Sequence, residues 1–165
     1  MSVPVSVQFP IFLKIFGFDR NLNRLGKKIN IYIIYQSNYR ASLNTKNDII
    51  NTVNSQKLNY TGGLPISYIP VDISNENIDG FFEKNIPGIA YFCPLRAADI
   101  RNMTQLCKNK KMISMTGVTS YTKEGVSLTI DRKGDKPEIV INLASAKSEG
   151  SDFSSQLLKL STIID

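Results

Sequence analysis

Residues 28–35 read Lys-Ile-Asn-Ile-Tyr-Ile-Ile-Tyr, a run of β-branched and aromatic residues with almost no polar interruption. Such a run fits a strand buried on both faces, as in a parallel sheet covered by helices on either side. Similar short runs recur at 64–71, 88–93 and 111–116, and the intervals between them carry helical patterns. Helices are expected at about 39–55, at 75–84 with Ser74 or Asn75 as cap, and at 97–107. Strand–helix alternation of this kind is the pattern of right-handed βαβ units. The period then changes to two. Val126, Leu128 and Ile130 alternate with polar residues, and Ile139, Ile141 and Leu143 do so again after the turn at 132–135. That is an antiparallel hairpin with one wet face. A short helix at 143–148, capped by Asn142, and a last one at 154–162 complete the pattern. The expected fold is α/β: a mostly parallel sheet flanked by helices, with a C-terminal antiparallel hairpin. The chain has 165 residues, no internal repeat and no linker, so one domain spanning 1–165 is expected.

The segment before the first strand is unusual. Val7, Phe9, Ile11, Phe12, Leu13, Ile15, Phe16 and Phe18 crowd a helix expected at 6–19, and apolar residues go nearly all the way round it. A helix at a protein surface does not tolerate that. Either other elements cover it on two sides, or Phe9, Phe12, Phe16 and Phe18 form an interface with a partner. The same choice applies to the last helix, where Gln156 and Lys159 lie beside the stripe of Leu157, Leu158 and Leu160. No apolar run reaches the roughly 18 residues of a membrane span. Met1-Ser2-Val3-Pro4 lacks a basic leader, so the chain is either cytoplasmic or exported by a segment outside the sequence as given.

Composition narrows the chemistry. There is no histidine, which excludes Ser-His-Asp and Cys-His nucleophile systems and histidine-ligated metals. Two cysteines do not make a four-cysteine metal site. No cofactor motif stands out: the stretch after the first strand is Tyr-Gln-Ser-Asn-Tyr-Arg, not a glycine-rich phosphate cradle. No carboxylate pair is distinguished by spacing, so the expected activity is binding without catalysis. Ligands of open α/β sheets sit at the carboxyl ends of the strands. Three loops should reach that edge: Gln36-Ser37-Asn38, the loop with Pro94 and Arg96, and the turn at Thr116 and Gly117. Arg96 would hold a carboxylate or phosphate, and the others would supply neutral hydrogen bonds. The net charge is +6, but the basic residues are dispersed except at Lys108, Lys110 and Lys111. That cluster reads either as a solvated helix end or as a phosphate contact. No nucleic-acid-binding motif is present.

Cys93 ends a strand and Cys107 ends the helix after it. A helix of about ten residues is roughly 15 Å long, which puts the two sulfurs at opposite ends of the layer. No bridge between them is expected; Cys107 reads as a small buried hydrophobe, and Cys93, near the loop edge, is the more interesting thiol.

The C-terminal third resembles a known family. Residues 112–116 (MISMT), 125–128 (GVSL), 138–146 (EIVINLASA) and 153–160 (FSSQLLKL) occur in the order found in the YfiR family of bacterial periplasmic proteins. INLASA and SSQLLKL are the most specific of these. The resemblance extends over nearly the whole chain if residues 12–15 (FLKI) open the family's first helix and 29–35 form its first strand. It implies an exported α/β regulator that represses a membrane-bound diguanylate cyclase by contacting its periplasmic sensor domain, with homodimers common among members. The paired cysteines that some members use as redox bridges are not evident here. A small solute-binding domain, built on the three carboxyl-edge loops, is the alternative.

Overall fold

A computed structural model describes residues 1–165. Helix α1 (Val5–Phe16) leads into β1 (Ile29–Tyr35) and α2 (Arg40–Ser55). A hairpin of β2 (Tyr60–Thr61) and β3 (Leu64–Asp72) follows, then α3 (Ile78–Lys84), β4 (Ile89–Phe92), α4 (Ile100–Lys110) and β5 (Ile113–Thr116). The chain closes with β6 (Leu128–Lys133), β7 (Lys136–Asn142), α5 (Leu143–Ser148), α6 (Ser155–Lys159) and β8 (Thr162–Ile164). All eight strands form one sheet in the order β2-β3-β1-β4-β5-β6-β7-β8. β3, β1, β4, β5 and β6 run parallel, with Ile31 of β1 paired to Tyr68 of β3 and to Ile89 of β4. β6 and β7 are antiparallel, and β8 lies parallel to β7. The fold is a single α/β domain, mostly parallel, as the strand pattern requires.

β1 divides the interior. Its Ile29, Ile31 and Ile33 face a core that also holds Phe9, Phe12 and Phe16 of α1, Ile49 and Val53 of α2, and Phe153 and Leu157 near the C-terminus. Tyr32 and Ile34 face a smaller core with Phe82 of α3 and Met103 and Cys107 of α4. Alternate residues of one strand thus serve two hydrophobic layers. Cys93 belongs to the first layer and Cys107 to the second, on opposite faces of the sheet, and both thiols are free and buried. Cys93, just after β4, is as fully buried as Cys107, and burial pushes its thiol above the ordinary range.

The aromatic helix belongs to the core. Phe9, Phe12 and Phe16 are each 0% exposed, so as partner contacts they are corrected to packing residues. The sheet covers one side, where Phe9 and Phe12 place their ring centroids 5.2 Å and 6.2 Å from Tyr91. On another side Thr61 of β2 donates its hydroxyl to the Leu13 carbonyl, at 2.7 Å. Only Phe18 of the four keeps partial exposure. Pro10 sits inside α1 and has no N–H to offer the Ser6 carbonyl. The Gln56 side chain, just after α2, donates to that carbonyl instead, at 3.2 Å.

Two strands depart from the sequence expectation. Residues 59–63 contain a two-residue hairpin in which Gly62 and Gly63 both take positive φ, 54° and 77°, a turn that favours glycine at both centres. At the other end, the helix expected to run to 162 stops at Lys159. The β-branched run Thr162-Ile163-Ile164 joins β7 as an edge strand, and Leu160 is left 73% exposed instead of in the leucine stripe. The caps also shift. Asn77, not Ser74 or Asn75, caps α3 by accepting the Gly80 N–H, and Asp99 caps α4, which starts at Ile100. Asn142 caps α5 as expected, accepting the Ser145 N–H at 3.1 Å.

Two buried polar clusters tie the C-terminal segment to the rest. Asp19 accepts the backbone N–H groups of Asn21 and Asp152, both at 2.9 Å, and pairs with Arg24 at 3.1 Å. Arg24 in turn donates to the Ser151 hydroxyl, at 3.1 Å. Next to it Glu149, fully buried, accepts the Ser114 N–H of β5 at 3.0 Å and the hydroxyls of Ser114 and Ser127. Burial pushes the Glu149 carboxyl up to about 8, against the opposing pull of the two serines.

That network predicts a pH dependence. The folded state holds the Glu149 proton more tightly than the unfolded chain, whose value is near 4.5. Its contribution to stability is therefore complete below about pH 4.5 and is lost as the pH rises towards 8. Roughly 3 kcal/mol should disappear between pH 4.5 and pH 7. Glu149→Gln keeps the shape, lets the amide oxygen accept from Ser114 and Ser127, and lets its NH2 donate to the Ser114 hydroxyl. Denaturant midpoints across this range should fall for the wild type and stay nearly level for the variant; parallel curves would refute the assignment. Phe12→Ala should cost about 3–5 kcal/mol in the same assay, against less than 1 if the ring were at a surface.

Candidate functional site

The strand order fixes where a ligand crevice can lie. β1 is flanked by β3 on one side and β4 on the other, so the chain leaves it in opposite directions and the loops after β1 and β4 diverge above the sheet. This is the switch point at which doubly wound folds place ligands. Gln36, Ser37 and Asn38 follow β1, and Pro94 and Arg96 follow β4.

The two loops are joined by one side chain. The Gln36 amide donates to the Arg96 carbonyl at 2.9 Å and accepts the Arg96 N–H at 2.7 Å. This reciprocal pair substitutes for a strand ladder above the point where the strands part. The Tyr121 hydroxyl accepts the neighbouring Leu95 N–H, at 2.9 Å. Ala97, one residue on, takes a φ of 50°, a left-handed conformation that costs free energy for a residue with a side chain. The fixed backbone on its N-terminal side sustains it. On the β1 side, Asp72 accepts the N–H groups of Ser37 and Ser74, each at 3.0 Å. Burial pulls its carboxyl upward, but these hydrogen bonds outweigh it and the net direction is down. Asn38 accepts the Ser74 hydroxyl at 3.0 Å, so Ser37 and Asn38 are held against the end of β3.

Arg96 is the charged group at the crevice. Its guanidinium stacks over the Tyr39 ring at 4.5 Å and is exposed, and no carboxylate pairs with it. Stacking orients the planar fork while leaving its N–H groups free. The crevice can therefore present one oriented cation beside neutral amides and hydroxyls, with the Asp72 carboxylate engaged by the Ser37 and Ser74 N–H groups.

Thr116 and Gly117 do not join it. Thr116 is buried, donating to the Phe92 carbonyl at 2.8 Å and accepting the Val118 N–H at 3.0 Å. Gly117 lies beneath the first residues of the chain: a Cβ there would come within 2.5 Å of Gln8 and 2.6 Å of Met1. Residues 1–4 cross this part of the edge, anchored where Gln8 donates to the Val3 carbonyl at 2.6 Å and Ser2 donates to Asp131 at 2.8 Å. As ligand residues both are corrected, because the chain itself covers them. Tyr39, Asp72 and Tyr121 are the residues that sequence reasoning missed. Asp72-Ile73-Ser74 at a strand end was the available signal, an acid able to accept its own loop's N–H groups.

The second exposed surface lies at the far edge of the sheet. Gln156 and Lys159 of α6 are exposed, with Leu160 beyond them and Ile163 of β8 39% exposed. A cleft of about 400 Å³ runs between α6 and β7, lined by Lys133, Lys136, Ile139, Lys159 and Leu160 among others. β8 is the last strand of the sheet, so its outer backbone groups have no ladder partner. No helix is long and apolar enough to cross a membrane.

Solved structures share this fold. A conserved domain protein from Vibrio cholerae O1 biovar El Tor superposes with a TM-score of 0.64 at 12% identity, over 98% of this chain and 60% of that one. The ABC domain from Streptococcus pneumoniae in complex with L-Trp gives 0.62 at 14% identity, over 98% and 60%. An open, ligand-free substrate-binding protein with adhesive properties from Clostridium difficile gives 0.60 at 12%, over 83% and 54%. This chain therefore spans between 54% and 60% of the length of these proteins, and the likeness is one of fold. No curated protein matches the sequence. The YfiR/HmsC-like family model, however, matches residues 21–162. That match takes in β1 to β7 with the helices between them and reaches the start of β8, and the chain belongs to the YfiR/HmsC-like family.

Proposed function

We propose that this chain is a non-catalytic periplasmic regulator that binds a membrane-anchored signalling protein, of the kind whose sensor domain controls a diguanylate cyclase. The family match over residues 21–162 carries this reading. The far sheet edge supports it physically. Gln156, Lys159, Leu160 and Ile163 combine an exposed apolar pair, flanking polar groups and an open strand, which suits a protein partner. The absence of histidine and of a distinguished carboxylate pair agrees with binding as the activity. A homodimer would use the same kind of surface, and sedimentation of the isolated chain separates self-association from capture of a partner.

The test starts from detergent-solubilised membranes of the source cells and ends on a purified pair. The tagged chain should retain a membrane protein with a periplasmic sensor region, and that region, purified, should bind it directly. Leu160→Asp combined with Lys159→Glu should weaken the binary affinity at least tenfold while thermal unfolding stays cooperative. Binding that ignores the double substitution removes the edge from the interface; a chain that retains no such protein removes the reading.

A second reading has its own observation, the unpaired Arg96 stacked on Tyr39 at the switch point. It makes the crevice a site for a small carboxylate-bearing solute, in keeping with the fold shared with the L-Trp-bound and substrate-binding proteins. A ligand at a hundred times its Kd adds about 2.7 kcal/mol of stability. In a thermal-shift screen of amino acids and small carboxylates, at least one should raise the wild-type Tm by several degrees and leave Arg96→Ala unmoved. A screen with no shift, or an equal shift in the variant, overturns it.

A further inference from the structure

A cleft of about 410 Å³, away from both surfaces above, separates α4 from the segment around residues 123–125 and the start of α5. Arg101, Thr104, Gln105 and Lys108 form one stripe of α4 along it, at the i, i+3, i+4, i+7 spacing of a helix face. Lys123 stands on the opposite wall. The floor is polar and fixed. Buried Thr104 donates to the Glu124 carbonyl at 3.0 Å, and buried Asn142 donates to the Thr122 carbonyl at 3.0 Å. Gly125 keeps the walls close: at its φ of 105°, a Cβ would lie 2.7 Å from the Thr104 hydroxyl and 3.5 Å from the Lys108 ammonium.

None of the three cations has a partner. The side chains of Arg101, Lys108 and Lys123 make no hydrogen bond and no ion pair, although Glu124 and Asp165 line the same cleft. Lys108 is explained by the helix dipole, since it lies in the last turn of α4. Arg101 is not. It sits in the first turn, where a positive charge opposes the dipole, and the Asp99 carboxylate that caps this turn accepts the Asn102 N–H and forms no ion pair with Arg101. Lys111, by contrast, is committed, its ammonium donating to the Ser148 carbonyl at 2.9 Å.

We infer that this cleft binds an elongated small polyanion, with acidic groups that reach both Arg101 and Lys108. These residues are seven apart, or about 10 Å along the helix axis, so a single phosphate does not engage both as well as a chain of phosphates or a long polycarboxylate does. The lining has a single apolar residue, Ala144, which argues against an apolar ligand. The inference is independent of the partner proposed above.

Titration calorimetry of the whole chain at constant ionic strength, with inorganic tripolyphosphate and inorganic phosphate as probes, tests it. Tripolyphosphate should bind saturably at one site, at least tenfold tighter than phosphate. Arg101→Ala, Lys108→Ala and Lys123→Ala should each weaken it at least fivefold, and Glu124→Gln should tighten it. Lys136→Ala, a cation of the other cleft, should leave the affinity unchanged. Arg101 and Lys123 are exposed, so loss of folding does not confuse their variants. Absence of saturable binding, equal affinities for the two probes, or an equal loss in Lys136→Ala would overturn the site.

Discussion

Everything in this fold follows from burying β1 on both faces. A strand whose alternate side chains are all apolar cannot sit at the surface, so helices must cover both sides of the sheet. Here α1 and α2 cover Ile29, Ile31 and Ile33, while α3 and α4 cover Tyr32 and Ile34. The strand also needs neighbours along both edges, which sends β3 to one side and β4 to the other and so creates the switch point. The approach is close enough that Gly88 at the start of β4 has no room for a side chain: a Cβ there would lie 2.2 Å from the Asn30 carbonyl. The position of the crevice at Gln36 and Arg96 is thus a consequence of packing before it is a matter of ligand chemistry.

Closing the sheet beyond β5 raises a different difficulty, because the chain must return from β7 to cover α1. The segment from 149 to 154 does this with polar groups. Arg24 and Asp19 hold the backbone at 149–152, and Glu149 reaches into the sheet to join β5 with the residue before β6. Taking a carboxyl group out of water is expensive unless it is neutral or fully hydrogen-bonded. Glu149 meets both conditions, with three donors around it and a raised proton affinity. The Asp19–Arg24 cluster ties the N-terminal part of the chain to residues 149–152, and the Glu149 cluster ties that same segment to β5 and the residue before β6.

What could be read from the sequence follows the range of the interactions involved. The strands at 28–35, 88–93 and 111–116 were legible because burial on both faces leaves a local mark, a continuous β-branched run. Strand polarity placed Gln36, Ser37, Asn38, Pro94 and Arg96 at one edge of the sheet, where Gln36 bonds to the Arg96 backbone. Phe9, Phe12 and Phe16 were ambiguous, because an all-apolar helix looks the same whether its second cover is another protein or the chain's own C-terminus. Thr116 and Gly117 failed for a related reason: Thr116 is bonded between β4 and β6, and what covers Gly117 is Met1 and Gln8, more than a hundred residues away. Glu149 left no trace at all. In Lys-Ser-Glu-Gly it reads as a polar loop, and only the docking of that loop on Ser114 and Ser127 makes it a core residue. Thr162 to Ile164 went astray because leucine-rich spacing upstream suggested a helix that three β-branched residues then ended.

The two ends of the sheet are not equivalent, and the difference bears on partner binding. At the β2 edge the strand is two residues long and ends in a tight Gly-Gly turn, which leaves little backbone for another chain to pair with. At the β8 edge the strand is also short, but α6 stops before it and leaves Leu160 and Ile163 uncovered beside the cleft under Lys159. An apolar residue so exposed gains from any partner that removes it from water, by roughly 25 cal/mol for each Å² covered. Ending the helix at Lys159 and turning the chain into an edge strand leaves that apolar surface in solvent.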